Sequence, residues 1–251
     1  MPDPSSPRLL LSMATYNEAG NLPGLVAEVR KFLPACDLLV LDDNSPDGTG
    51  RLADALAAAD PRVHVVHRPG KLGLGTATLA IMRYAIEHDY DLLLNMDCDF
   101  SHPPRFLPAL VSGMATKDVM VGSRYVAGGG TENWPLARLV MSRCVNTLVR
   151  FLFRMPVKDA SGAYRCYRVS KLKVAGLDRV VSRGYSFQQE VLFRVSRTGA
   201  KLGETPIVFE NRRAGKSKVN PGEAVRSLAT IVWLGGTHFL GLEDYGPRGK
   251  A

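Results

Sequence analysis

Two carboxylates stand two positions apart, at Asp97 and Asp99, directly after the apolar run at residues 92–94. Hard divalent cations such as Mg²⁺ and Mn²⁺ prefer oxygen ligands. Two acids at the bend after a strand can face one cleft, where a bound cation would bridge a diphosphate and offset the charge of a departing group. Taken alone, an Asp-x-Asp pair is a weak signal, because acids are also common in turns. The pattern therefore indicates a candidate metal site that needs support from other residues.

A second acidic segment, Asp42-Asp43-Asn44-Ser45-Pro46-Asp47-Gly48, follows the apolar run at residues 38–41. A carboxylate here can accept hydrogen bonds from a nucleotide base or ribose. The same residues also suit a strand-to-helix turn in which Ser45 or Asp47 is the N-cap. The two interpretations are compatible, so this segment is a second candidate binding region.

A glycine-rich segment, Gly70-Lys71-Leu72-Gly73-Leu74-Gly75, is typical of a loop that approaches phosphate groups. It is not a Walker A loop, because no Ser or Thr follows Lys71, and no dinucleotide fingerprint follows the first strand. What remains is a glycine-rich turn into a helix, close to where a nucleotide would bind.

The formal net charge is +8 and the sequence pI is about 9.5. Such a balance favours polyanionic partners such as nucleic acid, anionic lipid or phosphorylated substrates, although a basic solvated surface explains it equally well. The interleaving of aromatic and basic residues that is typical of single-strand binders is absent from the sequence. We therefore expect a phosphorylated substrate or an anionic surface and no nucleic acid.

The elements that position these residues can be predicted from the periodicity. Apolar runs at residues 9–11, 38–41, 63–66 and 92–94 alternate with helix-like segments. Almost wholly apolar strands are typical of a parallel sheet that is buried on both faces, and this alternation predicts a doubly wound α/β domain. Ligands bind such sheets at the carboxyl ends of the strands. The polar residues after these runs, among them Tyr16, Glu18, Asp43 and Asp97, should therefore converge on one rim.

After a further strand at residues 119–121 the alternation stops. We predict an amphipathic helix over residues 134–153, a helix over 187–196, a strand over 206–209 and a last helix over 221–234. The uncharged stretch at residues 227–242 is interrupted by Gly235 and Gly236, and no apolar run reaches the roughly 18 residues that cross a bilayer. The four cysteines include no CxxC pair, and no signal sequence precedes the first strand, so we expect a reduced, cytosolic protein.

Eight segments in order resemble the polyprenol monophosphomannose synthases, which are dolichyl-phosphate mannosyltransferases of the inverting family 2 glycosyltransferases. They are ATYNE, LDDNSPDGT, GKLGLGTA, MDCDFSHPP, GSRY, GGGTENWP, DASGAYR and AGKSK, and they extend over most of the chain. The resemblance implies a GT-A fold, an α/β architecture with a Rossmann-like, mostly parallel sheet flanked by helices. It also implies a glycosyltransferase domain at residues 1–218, followed by an amphipathic helix and tail at residues 219–251.

The resemblance implies three groups of site residues. Nucleotide-sugar contacts are implied at Ala14, Tyr16, Glu18, Leu41, Asp42, Asp43, Lys71 and Cys98. Mg²⁺ or Mn²⁺ is implied at Asp97 and Asp99, with Ser101 as a third ligand, although some relatives have Gln at that position. The family usually has Pro where this chain has Ala14, and often Ala where it has Cys98. The acceptor phosphate is implied to contact Arg124, Arg138, Ser142, Arg212 and Lys218. Asp97, Asp99, Arg138 and Arg212 would then be the catalytic set.

The implied reaction is the transfer of mannose from GDP-mannose to a polyprenyl phosphate. The acceptor is a phosphate monoester, whose second pKa is about 6, so it is already a nucleophile near neutral pH and needs no strong general base. Two alternatives remain open: the same reaction with another donor such as UDP-glucose, and a non-catalytic relative that binds nucleotide or membrane.

Membrane contact is expected because the acceptor's lipid tail leaves a bilayer only at high cost. Two amphipathic segments, residues 134–153 and 224–242, contain Trp134 and Trp233 among apolar residues and arginines. They are typical of helices that lie at the cytoplasmic face of a membrane, although helices that simply cover the core have the same pattern. A membrane-anchored partner subunit is the further alternative.

Overall fold

The first half of the chain forms the strand–helix alternation that its sequence predicts. The computed structural model describes residues 7–182, 184–210 and 221–241. The elements of this half are β1 (Leu9–Thr15), α1 (Leu22–Phe32), β2 (Asp37–Asp42), α2 (Thr49–Ala59), β3 (Val63–His67), α3 (Leu74–Glu87) and β4 (Leu92–Asp97). Every strand and helix predicted for this half is confirmed.

The second half is less regular. Its elements are α4 (Leu107–Gly113), β5 (Val119–Ser123), β6 (Gly130–Thr131), α5 (Leu136–Phe153), β7 (Arg165–Arg168), α6 (Val169–Lys173), α7 (Phe187–Ser196), β8 (Leu202–Pro206), β9 (Val208–Phe209) and α8 (Pro221–Phe239). Short 3-10 turns occupy Pro104–Phe106, Leu177–Arg179 and Gly184–Ser186. The helices predicted over residues 134–153 and 187–196 are confirmed, whereas α4, α6, β6 and β7 were not predicted.

The large sheet has the strand order β3-β2-β1-β4-β7-β5-β8. The short strand β7 is antiparallel to β4 and β5, and the other pairings of this sheet are parallel. The predicted Rossmann-like, mostly parallel sheet is therefore confirmed. Strand β7 escaped prediction because its sequence, RCYR, lacks the apolar pattern of a central strand, yet Arg165 within it is fully buried.

Helices cover both faces of this sheet. Leu10, Leu39 and Leu93 belong to one apolar core, which also contains residues of α3, α5 and α7. Leu11, Leu38 and Leu94 point to the opposite face and join a second core with α1 and α4. Adjacent residues of each strand therefore serve different cores, as expected for strands without a solvent-facing side.

The prediction of one strand over residues 206–209 is wrong. Strand β8 ends at Pro206, while Val208 and Phe209 form β9, which pairs with β6 in a separate two-stranded sheet. Proline has no N–H to continue a strand ladder, so the chain leaves the large sheet at this point. Ile207 lies between the sheets: its N–H donates to the Ser123 carbonyl (3.0 Å), and its carbonyl accepts from Gly130 N–H (2.9 Å).

The last helix does not end near Leu234, because α8 continues through Gly235 and Gly236 to Phe239. A Cβ atom at Gly235 would lie 2.6 Å from the Leu152 Cβ of α5, so glycine at this position permits close contact between the two helices. Within the described residues, no helix combines the length and apolar character needed to cross a bilayer. The predicted domain boundary at residue 218 lies outside the described residues and stays a prediction.

Candidate active site

The carboxyl ends of β2, β1 and β4 lie side by side in the sheet. Ala14 is in register with both Leu41 and Asp97, and Thr15 is in register with Asp42. The strand ends therefore meet at one edge, as the sequence pattern predicted. We call the acids at this edge, Asp42, Asp43, Asp97 and Asp99, the acidic rim.

Asp42 and Asp43 are both held by hydrogen bonds. Asp42 Oδ1 accepts from Thr15 Oγ1 (2.9 Å) and Ser45 Oγ (2.6 Å). Asp43 forms a two-point ion pair in which Arg68 Nε and Nη2 donate to Oδ1 and Oδ2 at 2.6 and 2.8 Å. Arg68 also donates to Thr76 Oγ1 (2.9 Å), which joins this turn to the start of α3. The orientation of Asp43 is thus fixed before any ligand binds.

The turn after Asp43 is closed by Asp47. Its carboxylate accepts from Thr49 N–H (3.0 Å), Thr49 Oγ1 (2.6 Å) and Ala19 N–H (3.0 Å). Burial opposes ionisation, but these hydrogen bonds outweigh it and lower the pKa of Asp47. The N-cap position of α2 is Gly48, so the predicted N-cap at Ser45 or Asp47 is wrong, although Asp47 does bind the first helical N–H.

Asp97 and Asp99 have different surroundings. The Asp97 side chain is 30% exposed and lines a cavity, whereas Asp99 is buried and its Oδ1 accepts from Ser101 Oγ (2.5 Å) and N–H (3.0 Å). Between them, Cys98 is buried, and its thiol pKa is raised well above the ordinary value by burial and by the charges of Glu18, Asp99 and Asp97. The Glu18, Asp97 and Asp99 carboxylates therefore add to burial in disfavouring a thiolate at Cys98.

His102 supports the loop that contains Asp97 and Asp99. Its Nδ1 accepts a hydrogen bond from Asp97 N–H (3.0 Å), and its ring stacks on Tyr164 with 4.8 Å between centroids. Burial lowers the pKa of His102 in spite of the Asp97 and Asp99 carboxylates. A neutral imidazole with the proton on Nε2 fits this hydrogen bond, so His102 holds the loop rather than supplying charge.

The donor atoms of this loop suit a hard divalent cation. Asp97, Asp99 and Ser101 offer oxygen only, and Mg²⁺ is usually held by one or two carboxylates together with substrate phosphates. Within the described part of the chain, no cluster of three or more His, Cys, Asp or Glu residues is arranged to hold a metal. The fit therefore depends on two carboxylates and on oxygens that a phosphorylated ligand would add.

A cavity of about 1030 Å³ opens in front of Asp97. Its lining includes the glycine-rich segment from Leu72 to Thr76, and also Arg124, Arg138 and Ser161. At the edge of the glycine-rich segment, the Lys71 ammonium lies 4.5 Å from the centre of the Tyr16 ring. The structure thus brings together two residues that are predicted to contact the nucleotide.

We call Arg124 and Arg138 the basic wall. The Arg124 side chain is buried and makes a two-point pair with Asp159, with Nε–Oδ2 and Nη2–Oδ1 distances of 2.7 Å each. Burial works against the charge of both groups, but their mutual hydrogen bonds raise the pKa of Arg124 and lower that of Asp159. The Arg138 guanidinium lies 3.8 Å from the centre of the Trp134 ring. Both arginines are therefore held in place.

Ser142 and Ser161 extend the basic wall. Tyr125 donates its hydroxyl to Ser142 Oγ (2.7 Å), and Asn146 Nδ2 and Arg124 Nη2 donate to Ser161 Oγ at 2.8 and 2.9 Å. Arg212 and Lys218, which were predicted to complete the acceptor-phosphate site, lie outside the described residues and stay predictions.

A second cavity of about 250 Å³ lies between α5 and α8. It shares Arg124, Arg138 and Ser161 with the larger cavity, and its other lining is mostly apolar, including Met141, Val145, Trp134, Leu228 and Ile231. The two cavities thus meet at the basic wall, and the smaller one is the more apolar.

Residues 11–176 match the family model described as glycosyl transferase family 2. The chain belongs to this family. It is 43% identical over 228 residues to undecaprenyl-phosphate mannosyltransferase of Micrococcus luteus, across 91% of this chain and 94% of that protein. It is 45% identical over 215 residues to polyprenol monophosphomannose synthase of Mycolicibacterium smegmatis, across 85% of this chain and 81% of that protein. The predicted resemblance is therefore confirmed.

Solved structures share the fold at low sequence identity. A crystal structure of a mycobacterial protein superimposes with a TM-score of 0.67 at 17% identity, across 92% of this chain and 76% of that one. Glucosyl-3-phosphoglycerate synthase from Mycobacterium tuberculosis, in complex with Mn²⁺, UDP and glucosyl-3-phosphoglycerate, gives 0.63 at 17% identity, across 96% and 82%. These neighbours confirm the predicted GT-A fold.

Three of the predicted nucleotide contacts in this family 2 member, Ala14, Leu41 and Asp42, lie on strands and not on loops. The Leu41 side chain belongs to the apolar core, and Ala14 is partly buried on β1. Either could reach a ligand at the sheet edge mainly through its backbone, since a core side chain does not leave its packing. Their assignment stays a prediction.

Several residues around the cavity were not singled out from the sequence of this family 2 member. Arg68, Asp159, Ser161 and Arg165 each hold a residue or segment that lines the cavity or lies beside it. The segment DASGAYR contains three of them, but no spacing rule indicates that its acid pairs with Arg124, 35 residues earlier. Only folding brings these residues together.

Proposed function

We propose that this enzyme transfers mannose from GDP-mannose to a polyprenyl phosphate, with inversion at the anomeric carbon and with assistance from Mg²⁺ or Mn²⁺. The observation that carries the proposal is the continuity of the two cavities. Asp97 and the basic wall both line the larger cavity, and the basic wall also lines the smaller, more apolar pocket. Asp97, the basic wall and the apolar pocket would then contact the charged donor, the acceptor phosphate and the lipid tail, respectively.

On the donor side, the acidic rim would hold the nucleotide and the metal. Asp97 and Asp99, with Ser101 beside them, would be the protein ligands of the cation, which when bound offsets the charge of the departing GDP. The base, ribose or phosphates would be bound by Tyr16, Glu18, Asp42, Asp43 and Lys71. Cys98 and the backbone at Ala14 and Leu41 would complete this nucleotide site. Hydrogen bonds already fix Asp42 and Asp43, so little reorganisation is needed.

On the acceptor side, a phosphate oxygen of the lipid would attack the anomeric carbon as the bond to the diphosphate breaks. The described part of the larger cavity contains one carboxylate, Asp97, and no further acid that could act as a separate base. This agrees with an acceptor that is already anionic near neutral pH. Arg138, Arg124 and Ser142 would orient the phosphate, with Arg212 and Lys218 as the further predicted contacts.

The lipid would enter from the side of α5 and α8, where large apolar side chains are exposed. They are Leu136, Val140, Met141, Phe151, Val225, Leu228, Val232, Trp233, Phe239 and Leu240. Arg143 and Arg150 lie on α5 among them. An apolar face with nearby cations is typical of a helix pair at the surface of an anionic membrane. We therefore propose a peripheral position at the cytoplasmic face, with an anchoring partner subunit as the alternative.

The names of the relatives support this choice of acceptor and sugar. One is an undecaprenyl-phosphate mannosyltransferase and the other a polyprenol monophosphomannose synthase, and each is more than 40% identical to this chain over most of its length. The glucosyl-3-phosphoglycerate synthase structure contains UDP and Mn²⁺, but at 17% identity it bears on the fold and not on the donor.

The proposal is tested by a donor screen. Purified full-length protein is incubated with a polyprenyl phosphate in detergent, Mn²⁺ or Mg²⁺, and radiolabelled GDP-mannose, UDP-glucose or UDP-galactose. We expect label in the lipid phase with GDP-mannose and a product of polyprenyl-phosphate mannose by mass spectrometry. Transfer from UDP-glucose instead would overturn the assignment of donor. Nucleotide binding without transfer from any donor would favour a non-catalytic relative.

A further inference from the structure

Two buried polar groups in the wall of the larger cavity have no hydrogen-bond partner within the described part of the chain. They are Ser182 Oγ and Gln188 Nε2, on residues that are 6% and 8% exposed. A buried polar atom without a partner weakens a fold, and native proteins contain few of them. Both residues line the cavity in front of Asp97. The missing partners therefore point to a ligand that occupies this cavity.

A residue of α7 holds the backbone at Ser182 in place. The buried Glu190 carboxylate accepts from the N–H groups of Val181 (3.2 Å) and Ser182 (2.7 Å). Arg194 Nε in turn donates to Glu190 Oε1 (2.7 Å), so this carboxylate is itself oriented. Ser182 is thus presented to the cavity by a fixed backbone.

A residue of the large sheet holds the backbone at Gln188 in place. Arg165, which is fully buried on β7, donates from Nη1 to the Gln188 carbonyl and from Nη2 to the Ala160 carbonyl, each at 2.6 Å. Next to Gln188, Phe187 packs on Gly75 of the glycine-rich segment, where a Cβ atom would lie 3.0 Å from the phenyl ring. The Gln188 position is therefore set relative to both the sheet and the glycine-rich segment.

The chemistry of the two groups differs from that of the rest of the cavity. A serine hydroxyl and a glutamine amide are neutral, and each can both donate and accept. Rotation of the amide by half a turn exchanges its oxygen and nitrogen, so either can face the cavity. Such groups suit sugar hydroxyls, which also donate and accept. The phosphates are already matched by the basic wall and by the cation that Asp97 would bind.

We propose that Ser182 and Gln188 bind hydroxyl groups of the donor's hexosyl ring and help to determine which sugar is transferred. The proposal deepens the mannosyltransferase function above and rests on it. A site that hydrogen-bonds a substrate hydroxyl discriminates strongly, because an analogue that lacks this hydroxyl leaves the buried protein groups unpaired.

The first test compares GDP-mannose with GDP, which lacks the hexose, by titration calorimetry in the presence of Mn²⁺. Ser182→Ala and Gln188→Leu should each weaken GDP-mannose binding by roughly two- to tenfold, the range for one neutral hydrogen bond. GDP affinity should not change. Ser196→Ala removes a serine from the far end of α7, where its Oγ contacts the Phe193 carbonyl, and serves as the matched control. Equal losses for GDP and GDP-mannose would overturn the proposal.

A second measurement separates ligand binding from a structural role. Removal of an unpaired buried polar group takes away its desolvation cost, so neither variant should lower the thermal unfolding temperature of the ligand-free protein. A fall of several degrees in both variants, together with unchanged GDP-mannose affinity, would overturn the proposal and assign a packing role.

A third measurement uses GDP-mannose analogues that each lack one sugar hydroxyl. Wild type and variant should bind the analogue that lacks the recognised hydroxyl with the same affinity. For the other analogues, the variant should still bind more weakly than the wild type. A difference that persists for every analogue would contradict hydroxyl recognition. These outcomes are distinct from failure of the proposed function, in which the wild type itself would transfer no mannose to polyprenyl phosphate.

Discussion

The acidic rim is built from the last residues of β2 and β4 and the short loops that follow them, whereas the basic wall combines the end of β5, helix α5 and the segment before β7. Within the rim, Asp42 and Asp99 bind residues two or three positions away, such as Ser45 and Ser101. Within the wall, Arg124 is paired with an acid 35 residues away. Contacts within single turns therefore help to shape the rim, together with the Asp43–Arg68 pair across 25 residues, whereas the wall depends on contacts between distant segments.

Both sides nevertheless contain one buried arginine–aspartate pair, Arg68–Asp43 in the rim and Arg124–Asp159 in the wall. Such pairs bring little net stability, because desolvation offsets much of the attraction, but they hold side chains in one orientation. This comparison teaches that charge is fixed on both sides before substrates bind. Catalysis through positioning and charge stabilisation requires such preorganisation.

The largest effect is expected in the acidic rim. Asp97→Asn should lower kcat on the order of 10³-fold or more, because it removes a predicted ligand of the cation that stabilises the leaving group. EDTA should stop the wild-type reaction, and Mn²⁺ or Mg²⁺ should restore it, as measured by radiolabel transfer. Asp89→Asn, at an exposed ion pair with Lys173, is the matched control and should keep full activity. Full activity in EDTA-treated enzyme would refute the metal role.

The next effect is on stability and concerns the basic wall. Asp159→Asn leaves the Arg124 charge buried without its partner and should lower the free energy of unfolding by about 3–5 kcal/mol, measured in urea. Asp89→Asn again serves as control, because its pair is 82% and 45% exposed and should contribute less than about 1 kcal/mol. A loss for Asp159→Asn as small as that of the control would show that the wall does not depend on this pair.

The same pair predicts a pH dependence with a definite sign. The pKa of Asp159 is lower in the folded protein than in the unfolded chain, where it is about 3.9. Its contribution to stability is therefore complete well above pH 4 and is lost as the pH falls toward the lowered pKa. Asp159→Asn should flatten this part of the stability curve, and an unchanged acid limb would contradict the assignment.

A smaller effect is expected from one acceptor contact. Arg138→Ala should lower kcat/KM for polyprenyl phosphate by roughly ten- to hundredfold, the value of a charge-assisted hydrogen bond of about 1.5–3 kcal/mol, with little change in GDP affinity. Arg212→Ala is predicted to act in the same way. Arg83→Ala is the control, since Arg83 is exposed on α3 and does not line either cavity. If Arg138→Ala instead weakens GDP binding, the donor and acceptor sides are assigned wrongly.

The smallest effect concerns the outer face of α5 and α8. The protein should co-float with liposomes, more strongly with anionic lipid and less strongly at high salt. The double variant Trp233→Ala, Phe239→Ala removes two half-exposed rings and should reduce binding by roughly tenfold or less. Val174→Ala, an exposed apolar residue just after α6, is the control. No binding at any salt concentration would favour a membrane-anchored partner subunit.

The sequence by itself determined the parallel sheet and its acidic edge. Apolar runs such as residues 92–94 identify buried strands, and the acids that follow them must meet because parallel strands end at one side. Ordered motifs then identified the family, since eight segments at consistent spacing carry more information than any one of them. These features depend on neighbours in the sequence, which periodicity and motif spacing can describe.

Tertiary structure alone decided how the opposite side is held. Strand β7 is central although it contains two arginines, because the buried Arg165 donates from Nη1 and Nη2 to the Gln188 and Ala160 carbonyls. Helix α8 passes through a glycine pair because Gly235 faces Leu152 on α5. Asp159 reaches Arg124, and Ser182 and Gln188 reach the cavity wall, through contacts between distant segments. Local propensity does not contain such contacts, since their energy exists only once the partners have been brought together.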